Sequence, residues 1–265
     1  MVTEPSSTPE EQQQPYLRLA TIDDLDKIVD SAFRAFIHDP VINYVGNVKK
    51  MLEIGVDVKA CASRLAFFQF LFKAGFLVGA RITVMIDPAK SDTTQGDKII
   101  AGALWLPPRS RLAVWMVPTI VKAGVIPVLK RWGLTGLLRI VFEYQATSES
   151  KMHKLFKNKG IKKKSPDDAW YLQMIFTDPE YQGKGLMSKL VREAFTHSPE
   201  GIFTLEATTP KSRDQYAHLG FELPTPIKFG RGKADGRGVS ASGEDAVGVE
   251  IWAMAKCPLE KDHEH

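Results

Sequence analysis

The chain predicts an α/β (α+β) protein, on three observations. Short runs with strand-like alternation or continuous apolar content recur between segments whose apolar residues have helical spacing. Two such runs, 76–86 and 98–106, read as an antiparallel pair joined by the polar loop 87–97. A further run, 170–176 (WYLQMIF), passes through a turn into a glycine-rich loop that opens a helix. With 265 residues, 44% hydrophobic and 25% charged, the chain can build a full core, which excludes the disordered and fibrous classes.

Taken in order, 16–20 (YLRLA) alternates like a short strand. Thr21 then caps a helix, with Asp24 as the capping-box acid. Leu25, Ile28, Val29, Ala32, Phe33 and Phe36 share one helical face until His38-Asp39-Pro40 ends it. A second helical region covers 49–72. After the strand pair, Pro107-Pro108 stops the sheet and 109–164 reads as helical. Its apolar stretch 112–129 is as long as a bilayer-spanning helix. Lys122, Pro118 and Pro127 within it favour a bent pair of buried or pocket-lining helices, so no membrane span is expected. In the helix after the glycine loop, Leu186, Met187, Leu190, Val191, Ala194 and Phe195 form the apolar face. A strand at 202–207 and a short helix at 211–219 follow, with Gly220 at a left-handed stop. The Gly- and Ser-rich 229–247 reads as a mobile loop and 249–255 as a last strand. One domain over 16–258 is expected, with 107–168 as a helical insertion. The polar segments 1–15 and 259–265 read as disordered tails.

Charge is uneven. Residues 107–168 carry 13 Lys/Arg against 4 Asp/Glu, which leaves about −5 elsewhere for a net +4. The basic segment is either a solvated helical face or a surface for phosphates and acidic partners. Its lysine run 157–164 has no interleaved aromatics, which argues against nucleic acid. Cys61 and Cys257 lack metal-ligand spacing and a disulfide framework, so free thiols and no metal are expected. No apolar leader precedes the domain, and the cytoplasmic compartment is the default expectation.

The glycine-rich loop is a physical recipe for an anion site. At a helix start, free backbone N–H groups and the positive end of the helix dipole converge, and glycines admit an oxyanion closely. Gly183 and Gly185 are placed for this, and Lys184 adds charge. A dinucleotide loop would want a third glycine at Ser188, and no nucleotide P-loop spelling occurs.

The run Phe176-Thr177-Asp178-Pro179-Glu180-Tyr181-Gln182-Gly183-Lys184-Gly185 resembles the acetyl-CoA signature of the GCN5-related N-acetyltransferase (GNAT) superfamily. Downstream, Leu205-Glu206-Ala207 and Tyr216-Ala217-His218-Leu219-Gly220-Phe221 are similar to that family's Tyr-x-x-x-Gly-Phe segment. Within the superfamily, 169–221 resembles the puromycin N-acetyltransferase-like members. Two departures stand out: Met187 replaces the usual Gly or Ala, and Thr209 replaces an Asn. The resemblance implies a GNAT fold, a central mixed, mostly antiparallel twisted sheet flanked by helices. It also implies acetyl-CoA as cosubstrate, with pyrophosphate on Gln182, Gly183, Lys184, Gly185, Leu186, Met187 and Ser188. The pantetheine amides and the thioester carbonyl would meet the strand at Met174, Ile175, Phe176 and Thr177.

By the same resemblance, Tyr216 is the acid that protonates the departing CoA sulfur. Glu206, at a strand end, is either the base that draws the amine proton or an ordinary structural carboxylate. Trp115, Trp132, Leu137, Leu138 and Phe142 in the insertion either wall an acceptor pocket or pack a core. The expected function is acetylation of a small-molecule primary amine by a monomer or homodimer. Acetylation of a peptide, and a catalytically weak acyl-CoA sensor, are the alternatives.

Overall fold

The computed structural model describes residues 14–92, 96–113, 115–158, 160–161 and 165–258. Seven strands form one sheet: β1 (Tyr16–Leu19), β2 (Arg81–Asp92), β3 (Gly96–Leu106), β4 (Trp170–Thr177), β5 (Phe203–Ala207), β6 (Glu222–Phe229) and β7 (Val249–Lys256). Their spatial order is β1-β2-β3-β4-β5-β7-β6. Every neighbouring pair is antiparallel except β4 and β5, which are parallel. The helices are α1 (Leu25–Ala35), α2 (Pro40–Val45), α3 (Val58–Leu77), α4 (Val117–Ala123), α5 (Val125–Leu138), α6 (Ala146–Asn158), α7 (Leu186–His197) and α8 (Pro210–His218). A π-helical stretch, Arg139–Gln145, joins α5 to α6.

Apolar faces on both sides of the sheet explain the layering. Ile28 and Phe33 of α1 and Phe68 and Phe72 of α3 bury against Ile82, Val84, Leu104 and Phe176. Leu190 and Val191 of α7 bury on the opposite face with Met85, Ile100, Trp105 and Phe203. Met152, Leu155 and Phe156 of α6 pack with Ile227, Ile251 and Ala253. Fully burying one such side chain contributes roughly 1.5–3 kcal/mol. Strand alternation and helical spacing in the sequence therefore point to the same core.

Several boundaries differ from the sequence expectations. α1 ends at Ala35, and Asp39 caps the additional short helix α2, accepting from the Ile42 N–H at 2.9 Å. α3 starts at Val58 rather than near 49 and runs to Leu77, so the strand expected from 76 begins only at Arg81. The continuous apolar run hides this junction, which Gly79 makes with φ +73°. β2 extends into the segment expected as loop, through register shifts after Met85 and after Asp87. β6 is absent from the sequence reading because Pro224 and Pro226 argue against a strand. It is an edge strand beside β7, the position where missing N–H donors are tolerated.

The stretch 229–247, expected as a mobile loop, is packed. Asn43 Nδ2 donates to Arg237 O at 2.9 Å, and Ser240 N donates to Val48 O at 2.8 Å. Gly238 (φ +75°) runs so close to α2 that a Cβ there would lie 1.9 Å from the Pro40 carbonyl. The insertion 107–168 is helical as expected, and its apolar stretch bends at Gly124 (φ +95°) between α4 and α5. Among the described residues only α3 is long and apolar enough to cross a membrane, and its Phe68, Leu71, Phe72 and Ala74 lie in the core. Residues 1–13 and 259–265 of the expected tails and four of the five lysines of the lysine run lie outside the described residues.

Candidate active site

β4 and β5 pair only at Trp170↔Phe203 and Tyr171↔Thr204, and then separate. On its other edge β4 continues along β3, but with a bulge: Trp105 faces Leu172 while Leu104 faces Met174, which leaves Gln173 as the extra residue. A bulge bends the strand that carries it. Residues 172–177 therefore present toward the gap beside β5 an edge with no strand partner among the described residues. Met174, Ile175, Phe176 and Thr177 all border the cavity that fills this gap.

Asp178 ends β4 and caps the 3-10 turn Pro179–Tyr181, accepting from the Glu180 N–H at 3.2 Å. The same buried carboxylate pairs with Arg34 of α1 at 2.6 Å, and the Tyr181 hydroxyl donates to Asp87 at 2.6 Å. The turn is thus anchored to two other elements. Gly183 (φ +81°) and Gly185 (φ +73°) follow, and Gly185 is the N-cap of α7. Only glycine adopts such angles without strain, and nothing lies within 4 Å of a Cβ built at either. The N–H groups of the first turn of α7 have no intrahelical acceptor and, with the dipole of a 12-residue helix, suit a diphosphate. Gln182, Gly183, Gly185, Leu186, Met187 and Ser188 border the cavity, whereas Lys184 does not. Its Nζ instead lies 4.6 Å over the Tyr181 ring.

The two departures from the family pattern have local explanations. Thr209 is the N-cap of α8, its hydroxyl accepting from the Ser212 N–H at 3.1 Å. Met187 is half-buried against the cluster formed by α7 and β5.

Tyr216, in α8, is buried, packs edge-on against Phe221 at 5.6 Å and borders the same cavity. Burial holds its phenol above the ordinary tyrosine value. Gly220 (φ +87°) ends the helix, so that Phe221 N returns to Tyr216 O at 3.1 Å and fixes the tyrosine backbone. His218 is exposed, its Nδ1 2.7 Å from Asp214 O.

Glu206 lies on β5 across the gap. One carboxylate oxygen accepts from the Tyr171 hydroxyl of β4 at 2.5 Å and the other from Ser148 of α6. Tyr171 is further flanked by Tyr144 of the π-helical stretch and by Arg111, whose guanidinium lies 4.3 Å over its ring. Burial and the Glu206 charge push both phenols upward. This Glu206–Tyr171–Tyr144 cluster escapes sequence reasoning, because it joins an insertion with no recognisable motif to two separate strands. Tyr171 and Leu172 are both buried, on opposite faces of the sheet, so strand alternation gives no hint of the tyrosine's partner.

The cavity encloses about 760 Å³ and is bordered on its far side by Phe36, Phe67, Ile120, Val128 and Trp132. Trp132 stacks on Phe67 at 4.7 Å. Of the five insertion residues expected to wall a pocket or pack a core, Trp132 and Leu137 border the cavity, as does Tyr144 of the same insertion. Trp115, Leu138 and Phe142 face outward, so neither the pocket nor the core expected of them is found. The sequence places them in one apolar insertion, but the bends at Gly124 and Gly133 decide which face turns inward.

Comparison with known proteins identifies a domain within the chain. Residues 153–223, spanning β4, the glycine loop, α7, β5 and α8, match the acetyltransferase (GNAT) domain model. The chain carries a GNAT acetyltransferase domain. The GNAT fold extends beyond that segment. A histone acetyltransferase HPA2 and related acetyltransferase from Corynebacterium glutamicum aligns with 93% of this chain and 97% of its own, at 21% identity and TM-score 0.51. A mosquito arylalkylamine N-acetyltransferase like 5b aligns over 92% and 100%, at 16% identity and TM-score 0.50. The C-terminal condensation domain of Ebony, solved with beta-alanyl-dopamine, aligns over 92% and 99%, at 11% identity and TM-score 0.51. GNAT acetyltransferases take their acyl group from acetyl-CoA.

Proposed function

We propose that this GNAT enzyme transfers acetyl from acetyl-CoA to a small, largely apolar primary amine by direct attack. One observation carries this reading. A single cavity brings together the glycine loop, the unpaired β4 edge, Tyr216, Glu206 and an aromatic far wall. A ligand lying along β4, with its diphosphate at Gly183 and Gly185, would direct its acyl end toward the gap between β4 and β5. There a β4 backbone N–H would stabilise the carbonyl oxygen as the tetrahedral oxyanion forms. The amine nitrogen bonds to the carbonyl carbon and the C–S bond breaks. Tyr216 gives its proton to the leaving sulfur, a role open to a phenol because it is protonated at neutral pH.

Glu206 receives the proton lost by the amine, directly or through water. Its two hydrogen bonds hold it in place and leave acceptor capacity on both oxygens. Tyr171 and Ser148 position it, and Tyr144 supports Tyr171. An aromatic or long aliphatic amine would fill the volume between Phe67, Trp132 and Val128, with its nitrogen toward Glu206. That similar folds belong to an arylalkylamine acetyltransferase and to a domain that binds beta-alanyl-dopamine supports this acceptor class.

The test is release of free CoA from acetyl-CoA across arylalkylamines, polyamines, puromycin and a peptide N-terminus, with acetyl-CoA binding measured in the same samples. Turnover highest with an arylalkylamine is expected. Binding without turnover of any amine would instead favour an acyl-CoA sensor, and turnover of the peptide alone would move the acceptor class.

A further inference from the structure

We propose that the outer face of the α4–α5 hairpin rests on an anionic lipid bilayer. The inner face of these helices walls the cavity through Ile120, Val128 and Trp132. The outer face is apolar and open: Trp115 is 80% exposed, Leu134 and Phe142 both 68%, and Val117, Val121 and Ile126 about half exposed or more. Val117 and Val121 are four residues apart and share one side of α4. Large apolar side chains in such density on consecutive surface elements mark a contact site.

Charge chooses the occupant. No Asp or Glu occurs anywhere in residues 98–142. Lys122, Lys130 and Arg131 are exposed within the hairpin, and none has an ion-pair partner among the described residues. Apolar side chains, an exposed tryptophan and unopposed cations together have the composition of a segment that lies in the interface of a negatively charged membrane. A second copy fits less well, because it would set these cations against the same cations with no acid on the hairpin to pair them. Spanning is excluded by length: α4 has 7 residues and α5 14, with a left-handed glycine between them. The contact is therefore peripheral and depends on salt.

The experiment is flotation of the full chain with vesicles of phosphatidylcholine alone and of phosphatidylcholine with one-third phosphatidylglycerol, at low and high salt. Binding to the anionic vesicles, weakened by salt, is expected. The pair Trp115→Ser with Ile126→Ser and the pair Lys122→Glu with Lys130→Glu should each weaken it about tenfold or more. All four side chains point outward, and unchanged melting would verify the fold. If the serine pair alone melts early, the charge-reversal pair carries the test. Absence of binding at low salt, or binding undiminished in both pairs, overturns the proposal. A dimer in sedimentation that the serine pair dissociates, with no vesicle binding, would likewise overturn it and make the face an interface between copies. CoA release in vesicle-free buffer should be unaffected by either pair, which separates this proposal from the proposed acetyl transfer.

Discussion

The two walls of the cavity are built by opposite strategies. The wall proposed for the cofactor comes from one continuous stretch, β4 through the start of α7, and is built of backbone: an unpaired strand edge, two glycines at positive φ and a helix N-terminus. The wall proposed for the acceptor gathers Phe36 after α1, Phe67 of α3, Ile120, Val128 and Trp132 of the insertion and Glu206 of β5, and is built of side chains. A backbone site for a ligand common to a whole family would tolerate substitutions such as Met187. A side-chain site sets which amine fits and can change one residue at a time.

Substitutions should break the two walls differently. The largest effect is expected for Gly185→Glu, which forces an L residue to φ +73° and brings a carboxylate to the diphosphate. Acetyl-CoA affinity should fall about a hundredfold or more by calorimetry while amine binding persists. Tyr216→Phe keeps the ring packing on Phe221 but removes the proton donor, so kcat should fall by about 10²–10⁴ with acetyl-CoA affinity unchanged. Retained kcat would remove Tyr216 from the reaction.

Glu206→Gln keeps an acceptor for one of Tyr171 and Ser148, turns the other contact into an amide N–H donating to that hydroxyl, and abolishes the base. The rate should fall roughly ten- to a hundredfold at neutral pH and recover at high pH, where the amine is already neutral. An unchanged pH–rate profile would place the base elsewhere. Trp132→Ala should act on the acceptor wall alone. It should raise KM for a bulky aromatic amine about tenfold and leave KM for acetyl-CoA unaltered.

The smallest effect at neutral pH belongs to the buried phenols. Tyr44, Tyr144, Tyr171 and Tyr216 are all held above the ordinary tyrosine value of about 10, with burial as the first cause. A raised folded-state value means the fold holds these protons more tightly than the unfolded chain does. The associated stability is fully present below pH about 10 and is lost as pH rises through the folded-state values. Thermal melts should therefore fall above that pH, less steeply in Tyr144→Phe.

Legibility in the sequence follows the same division. Gly183, Gly185 and Gly220 were readable because unusual backbone angles demand a particular residue type at a fixed place. Tyr216 was readable through its spacing to Gly220-Phe221. Tyr144, Ser148 and Tyr171 were not, because a side chain's partner 35 or 58 residues away leaves no local trace. β6 was hidden by its prolines, which only its edge position makes acceptable.

By itself, then, the sequence determined the strand–turn–glycine–helix unit, the amphipathic face of α7 and the helical character of 107–168. All three rest on local rules: backbone angles, side-chain periodicity and capping. Only the tertiary structure decided that β4 and β5 part after Tyr171, that Glu206 is tied to two elements, and which aromatics of the insertion line the cavity. Those depend on packing between segments far apart in the chain, where each side chain's neighbours are fixed only when the whole core closes.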